Sequence, residues 1–325
     1  MINPIIAEVM RGGIVESRHR GAYAVVDGEG RVVAAEGGIA AAVIPRSAIK
    51  AFQCLAVVES GAADRFGFVD EEIALACASH NGEPDHVRVA RAMLAKAGNS
   101  EDLYECGAHW PIAEAAHHAL VREGRPCLAV HNNCSGKHAS MLALARQLGA
   151  DPSGYVLPGH PVQKAIAATI GRMCDCDVEA LARGVDGCSV PTWAIPLRNM
   201  ALGFARFASP GNASARRIIE AVRKHPFMVA GSRRFDTDLM TALPRVFVKT
   251  GAEGVYCGCI PHAGLGIALK CDDGAGRAAE VAMAQILSAL DVWTPEEKQI
   301  LDRFRHHRLS NWRSIAVGEV RAVPA

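Results

Sequence analysis

The sequence predicts an α+β fold, in which the first and last strands of the chain share one antiparallel sheet and a helical lobe lies between them. Three observations carry this expectation. Short β-like runs occur near both ends, and an Ala-rich stretch with helical spacing fills the middle. No repeat, low-complexity tract or Pro/Gly/Ser linker divides the 325 residues. Half of the chain is hydrophobic and 21% is charged, which is ample material for a real core. A single domain over residues 1–325 is therefore expected, with a sheet lobe of about 1–46 and 243–293 and a helical lobe of about 47–242.

The elements follow in order. Residues 8–16 read as a short mixed strand. Residues 21–26 and 31–35 flank the Gly-rich turn Asp27-Gly28-Glu29-Gly30 and predict a hairpin. After Pro45 the pattern turns helical from Ser47 to about Glu59. Pro84 opens a helix with Val87, Ala90, Met93, Leu94 and Ala97 at three-and-four spacing. Further helices are expected after Ser135, Pro161, Pro196 and Asn212. Residues 245–249, 255–260 and 265–270 read as three strands separated by Gly-containing turns, and an Ala-rich helix follows over 276–290. Beyond Thr294 the chain is polar and basic and is expected to form a surface tail.

Charge and cysteine usage narrow the function classes. Lys and Arg total 35 against 34 Asp and Glu, a net charge of +1, which leaves no basic field for nucleic acid and no polybasic run for a membrane surface. No apolar run approaches the ~20 residues of a membrane span. Met1-Ile2-Asn3-Pro4 lacks the basic-then-apolar pattern of a secretory signal. The eleven cysteines are an odd number and are evenly spread. Free thiols in a reducing cytoplasm are the expected state.

Three motifs occur in a meaningful order. Ser47-Ala48-Ile49-Lys50 starts a helix, where residues three apart share a face and a lysine amine reaches a serine hydroxyl. Such a lysine activates the serine only when burial or nearby cations lower its pKa. Alone the match is weak, because one Ser-x-x-Lys is expected by chance and a solvated helix start explains it. Ser79-His80-Asn81 and Lys249-Thr250-Gly251 change the balance. Ser-x-x-Lys, Ser-Asp-Asn and Lys-Thr-Gly form the motif set of penicillin-recognising serine enzymes. All three appear here in that order, each on the expected element, with His80 in place of the central Asp.

A second constellation surrounds two thiols. His131-Asn132-Asn133-Cys134-Ser135-Gly136-Lys137-His138 enters a helix, and Cys134 lies near its N-terminus, where a thiol pKa falls. A phosphate-loop reading of Gly136-Lys137 fails, because no Ser or Thr follows and no Gly stands five positions earlier. Asp186-Gly187-Cys188-Ser189-Val190-Pro191 is a loop with a carboxylate and a second thiol, and Pro191 breaks its match to a nucleophile elbow. Cys134 and Cys188 with one nitrogen would suit Zn²⁺, and chemistry alone selects His138 as that nitrogen. Two buried free cysteines are the plainer alternative. Cys174-x-Cys176 and Cys257-x-Cys259 have no ligand partners and read as core or surface residues.

Together, Pro45-Arg46-Ser47-x-x-Lys50, Ser79-His80-Asn81-Gly82-Glu83-Pro84, residues 132–138, Asp186-Gly187-Cys188 and Lys249-Thr250-Gly251-Ala252-Glu253-Gly254 resemble the rhizobial-type L-asparaginases, the asparaginase II family. The resemblance spans essentially the whole chain. It implies a serine β-lactamase-like fold, a homodimer, and hydrolysis of L-asparagine to L-aspartate and ammonia. It also implies two Ser–Lys tandems, Ser47 with Lys50 and Ser79 with Lys249. It further implies a zinc site at Cys134, Lys137 and Cys188, which displaces His138 as the metal's nitrogen.

The expected mechanism is acyl transfer. Lys50 takes the Ser47 proton, Ser47 attacks the side-chain amide, and Ser79 passes a proton to the departing ammonia. The backbone N–H groups of Ser47 and Ala252 would receive the oxyanion. Arg46 is the candidate for the substrate carboxylate, and Asp186 or Glu253 for its ammonium. Asn81 and His138 complete the expected substrate-binding set. The metal is expected to orient the pocket rather than to supply the nucleophile. Competing readings are a penicillin-recognising peptidase or esterase, a zinc amidohydrolase with Ser47 structural, and a non-catalytic amino-acid-binding module.

Overall fold

The computed structural model describes residues 2–324. The chain divides into two compact units. The first holds residues 2–48, 195–209 and 242–324, and the second holds residues 49–194 and 210–241.

The first unit is built on an eight-stranded antiparallel sheet. Across it the strands run His306–Ser310, Ala316–Ala322, Ile5–Arg11, Ile14–Asp27, Leu265–Cys271, Val255–Ile260 and Phe247–Thr250, with Val32–Glu36 paired to Ile14–Asp27. The expected hairpin is present, with Val25 opposite Ala34 and Val26 opposite Val32. Its turn is set by Asp27, whose Oδ1 accepts the N–H groups of Glu29 and Arg31, both at 3.0 Å. All six residues of Val255–Ile260 are buried, as expected for a strand covered on both faces. The helix Leu197–Phe207 lies so close on one face that a Cβ at Gly266 would collide with Ala201 O and Ala205 N. The helix Gly276–Ser288 covers the other, where Ala282 and Ile286 line a small cavity together with Tyr23.

The C-terminal residues correct an expectation. Instead of a surface tail they form the helix Pro295–Phe304, opened by a capping box between Thr294 and Glu297, and then two strands. Ala316–Ala322 pairs with Ile5–Arg11, placing Ala322 opposite Ala7 and Gly318 opposite Arg11. An outer strand wets one face, so its polar residues mask the buried pair Val320 and Ala322.

The second unit is mainly helical. Its longer helices are Lys50–Glu59, Pro84–Lys96, Ser135–Gln147, Pro161–Cys174 and Ala213–Lys224. Each starts within a few residues of the expected position. Asn212 caps the last of these by accepting the Ala215 N–H at 2.9 Å. Every residue from Ser135 to Ala145 is buried, so the helix Ser135–Gln147 is the central one. At Gly136 a Cβ would strike Leu75, which explains glycine at that contact. No helix among the described residues is long and apolar enough to cross a membrane. All eleven cysteines are free thiols.

Candidate active site

Lys50 opens the helix Lys50–Glu59 and is 1% exposed. Its Nζ donates to the Ala78 carbonyl, to Ser79 Oγ at 2.9 Å and to Cys134 Sγ at 3.1 Å. Three acceptors surround this buried amine, which satisfies its N–H groups.

Ser79 follows the helix Asp70–Ala76, and its backbone N–H donates to Val229 O at 2.9 Å. His80 fastens the loop on the other side. Its N–H donates to Asn133 O at 3.0 Å. Its Nδ1 accepts the Gly82 N–H at 3.1 Å, so Nε2 carries the proton and donates to Ser135 Oγ at 2.9 Å. Burial, then the charges of His86 and Lys50, push the His80 pKa well down, and the ring is neutral. His80 thus ties the Ser79 loop to the helix that carries Lys137.

Asn132 holds the second loop. Its Oδ1 accepts the Cys134 N–H at 2.8 Å, while its amide donates to Cys106 O and Gly107 O at 3.0 Å each. One turn into the helix, Lys137 Nζ donates to Cys188 Sγ at 2.8 Å. Cys188 sits on a tight turn between the strands Arg183–Val185 and Pro191–Trp193. There Ser189 N donates to Asp186 O and Asp186 N to Val190 O, both at 2.9 Å, with Ser189 at φ +73°.

The electrostatics follow from these contacts. A hydrogen bond from Cys188 lowers the Cys134 thiol pKa well below its ordinary value; burial opposes this, and the Lys50 and Lys137 charges add to the lowering. That same bond, with burial, raises the Cys188 pKa. Burial disfavours the charge on Lys137, but Cys188 and Cys134 more than offset it and hold the ammonium above its usual range. The cluster sets the Cys134 thiol, held toward its thiolate, against the Lys50 amine and the Lys137 ammonium.

The donor set fits Zn²⁺. Two sulfurs and an amine converge, thiolates suit this ion, and Cys134 already favours the thiolate. Lys137 fits only as a neutral amine, so an ion there would replace its proton. His138, the nitrogen that chemistry alone selected, is turned to Tyr155, whose Oη lies 2.6 Å from its Nδ1. Burial, then the Lys137 and Lys50 charges, push its pKa well down.

Two other expected substrate contacts belong to the helical unit. Asn81 Nδ2 donates to Ser232 O at 3.0 Å, and its Oδ1 accepts from Arg234 Nη1 at 2.9 Å. Half-buried Asp186 accepts its neighbour Gly187 N–H at 2.8 Å, and Cys188 Sγ lies 3.7 Å from its Oδ2.

The sheet unit carries the remaining candidates. Lys249 is fully buried on Phe247–Thr250, and its Nζ donates to Thr250 O at 2.9 Å. Just beyond, Gly251 packs on Pro45 O and Ala48 N, where a side chain has no room. The Lys249-Thr250-Gly251 strand end therefore lies beside the turn that carries Ser47. Ala252 and Glu253 are exposed, and Glu253 O accepts from Lys270 Nζ at 2.6 Å. Arg46 and Glu253 have φ values of +52° and +58°. With Ser189 they are non-glycine residues in the left-handed region, each at or beside a candidate position, as strained backbone at working sites often is.

Sequence reasoning did not pair Lys50 with Ser79, a hydrogen bond that lies within the helical unit. It also missed the positioning work of His80 and Asn132. An Asn two residues before a loop thiol was the one available signal for the latter.

The family model described as L-asparaginase II matches residues 7–322. No curated protein matches the chain. Among solved structures, the chain is similar to a β-lactamase from Mycobacterium bovis at 15% identity and a TM-score of 0.40, covering 87% of this chain and 94% of that one. It is similar to the native form of a protein named Mglu at 15% identity and a TM-score of 0.39, covering 90% and 70%. Simvastatin synthase from Aspergillus terreus follows at 11% identity and a TM-score of 0.34, covering 78% and 86%. Likeness at these scores decides nothing about activity.

Proposed function

The chain belongs to the L-asparaginase II family, and on that premise we propose that this asparaginase-type hydrolase cleaves the side-chain amide of L-asparagine through a lysine-activated serine. The observation that carries the reading is the buried contact of Lys50 Nζ with Ser79 Oγ at 2.9 Å, beside the Cys134 thiolate. Membership alone supports the substrate class, and this contact supports the chemistry.

In the proposed sequence, neutral Lys50 accepts the proton of Ser47, three residues before it, and the Ser47 Oγ forms an ester with the substrate acyl carbon. Lys50 then relays that proton through Ser79 to the amide nitrogen, and the C–N bond breaks as ammonia leaves. Water completes the cycle by hydrolysing the aspartyl ester. Arg46 binds the α-carboxylate, Asp186 or Glu253 the α-ammonium, and the N–H groups of Ser47 and Ala252 the oxyanion. Lys249 supports the Ser47 turn from its strand. Cys134, Lys137 and Cys188 would hold Zn²⁺, which would supply positive charge that orients the pocket.

The Lys50–Ser79 bond also favours a second reading, in which Ser79 is itself the nucleophile. Mass spectrometry of enzyme quenched during turnover separates the two. The first reading expects an aspartyl ester in Ser79→Ala and none in Ser47→Ala, and the second expects the reverse. Ammonia release from asparagine tests the activity itself. Its absence, with acylation by a penicillin instead, would sink the assignment. Chelation is expected to raise KM more than it lowers kcat. A homodimer and a reducing, cytoplasmic setting belong to the same proposal, the first resting on the family membership and the second on the eleven free thiols.

A further inference from the structure

A second group of ligand-type side chains lies in the sheet unit, on residues the proposed reaction does not use. One ligand atom each from His19, Cys271 and Asp273 fall within 4.8 Å of one another. His19 Nδ1 is 2.6 Å from Asp273 Oδ2, and Cys271 Sγ donates to Asp273 Oδ1 at 3.0 Å. The Ala275 N–H also donates to that oxygen at 3.0 Å, which fixes the carboxylate at the start of the turn. His19 and Cys271 are buried, while the Asp273 side chain is 48% exposed and opens the group to solvent.

The sheet register explains the convergence. Cys271 stands opposite Gly21, and His19 is two residues from Gly21 on the same face of its strand. Glycine puts no side chain between the imidazole and the thiol. A Cβ there would collide with Lys270 O and Ile6. The imidazole is also incompletely satisfied. Nδ1 faces the Asp273 carboxylate and is the ligand nitrogen, while Nε2 lies on the far side of the ring. That Nε2 is buried and has no partner among the described residues.

We propose that His19, Cys271 and Asp273 form a binding site for a borderline-soft divalent cation such as Zn²⁺. Thiol, imidazole and carboxylate together suit Zn²⁺ or Co²⁺ and not the oxygen-seeking Mg²⁺ or Ca²⁺. Ligand bonds of about 2.0–2.3 Å place tetrahedral donor atoms roughly 3.3–3.8 Å apart. The present separations, from 2.6 Å to at most 4.8 Å, bracket that spacing. Binding releases the Cys271 thiol proton to water and moves the His19 ring proton from Nδ1 to the unpartnered Nε2, and solvent at Asp273 fills the remaining position. The ion would clamp the strand Ile14–Asp27 to the turn that leads into the helix Gly276–Ser288. It is a structural metal, separate from the candidate zinc site of the helical unit.

Cobalt tests this in the full chain. In the Cys134→Ser/Cys188→Ser chain the helical unit's site has no thiol, so any thiolate-to-Co²⁺ absorption must arise elsewhere. That chain is expected to bind one Co²⁺ with a single-thiolate band, and adding Cys271→Ser removes both. Asp273→Asn is expected to weaken binding at least about tenfold. In the otherwise unaltered chain, Cys271→Ser alone should lower bound zinc by one equivalent, abolish the thermal shift that this equivalent confers, and leave ammonia release unchanged. That arm does not depend on how the double variant folds. A hydrogen-bonded trio only, with metal content and thermal shift the same with and without Cys271, overturns the proposal.

Discussion

Lys50, Lys137 and Cys134 are each within 4% of full burial in the helical unit, with Lys50 bonded to Ser79 and Cys134 and Lys137 bonded to Cys188. Along the outer strands of the sheet unit, Glu8 pairs instead with Arg18 at 3.3 Å and Arg321 at 2.9 Å, with both arginines partly in water. The two regions use the same kinds of charge for different ends. A surface pair gains little, because water already solvates its members. A buried cluster survives only while every charge keeps its partner, so its retention points to chemistry rather than to stability.

The sharpest way to break this contrast is Cys134→Ser. It removes the sulfur that faces the buried Lys50 and Lys137, and the metal-free protein is expected to lose about 3–5 kcal/mol in urea unfolding. A loss below about 1 kcal/mol would place that region with the surface pairs.

Acid should act on the helical unit next. His80, His86, His131 and His138 all lie there, and burial is the leading cause that pushes each of their pKa values down. Below about pH 6.5 the unfolded imidazoles take up protons that the folded ones refuse. The unfolded state then binds more protons, so stability falls as pH drops from that value toward the lowered folded pKa values. Hydrogen exchange at pH 5.5 against pH 7.5 should show the helices opening before the sheet. Uniform loss of protection across both units would contradict the contrast.

The smallest effect belongs to the edge. Arg321→Ala is expected to leave the melting midpoint unchanged within measurement, and a clear drop would show that the outer pairs matter more than argued.

What the sequence made legible follows the same division. Helix starts at Pro84, Pro161 and Asn212 are local signals, set by a fixed φ or a capping side chain, and they are found in place. The strands Val255–Ile260 and Leu265–Cys271 are apolar runs and were equally plain. The outer strand Ala316–Ala322 was not, because Glu319 and Arg321 lie among its few apolar positions and its partner is Ile5–Arg11, at the other end of the chain.

At the candidate site, residue types were legible and partners were not. Lys50, Ser79, Cys134, Lys137 and Cys188 were singled out by motif and by resemblance. Spacing within a helix speaks only of neighbours three or four apart, so it offered Ser47 to Lys50 and was silent on Ser79. The Lys50–Ser79 bond depends on where the His80 loop is fastened, and that is a tertiary fact. Left-handed backbone at Arg46, Ser189 and Glu253 has no sequence signature, since none of the three is glycine.

The central claim is that Lys50 drives the chemistry. Steady-state ammonia release from L-asparagine by Lys50→Met, with folding checked by circular dichroism, tests it most directly. The account predicts a fall in kcat of about 10²–10⁴-fold in a folded protein. Turnover within a few fold of the unaltered chain would contradict it.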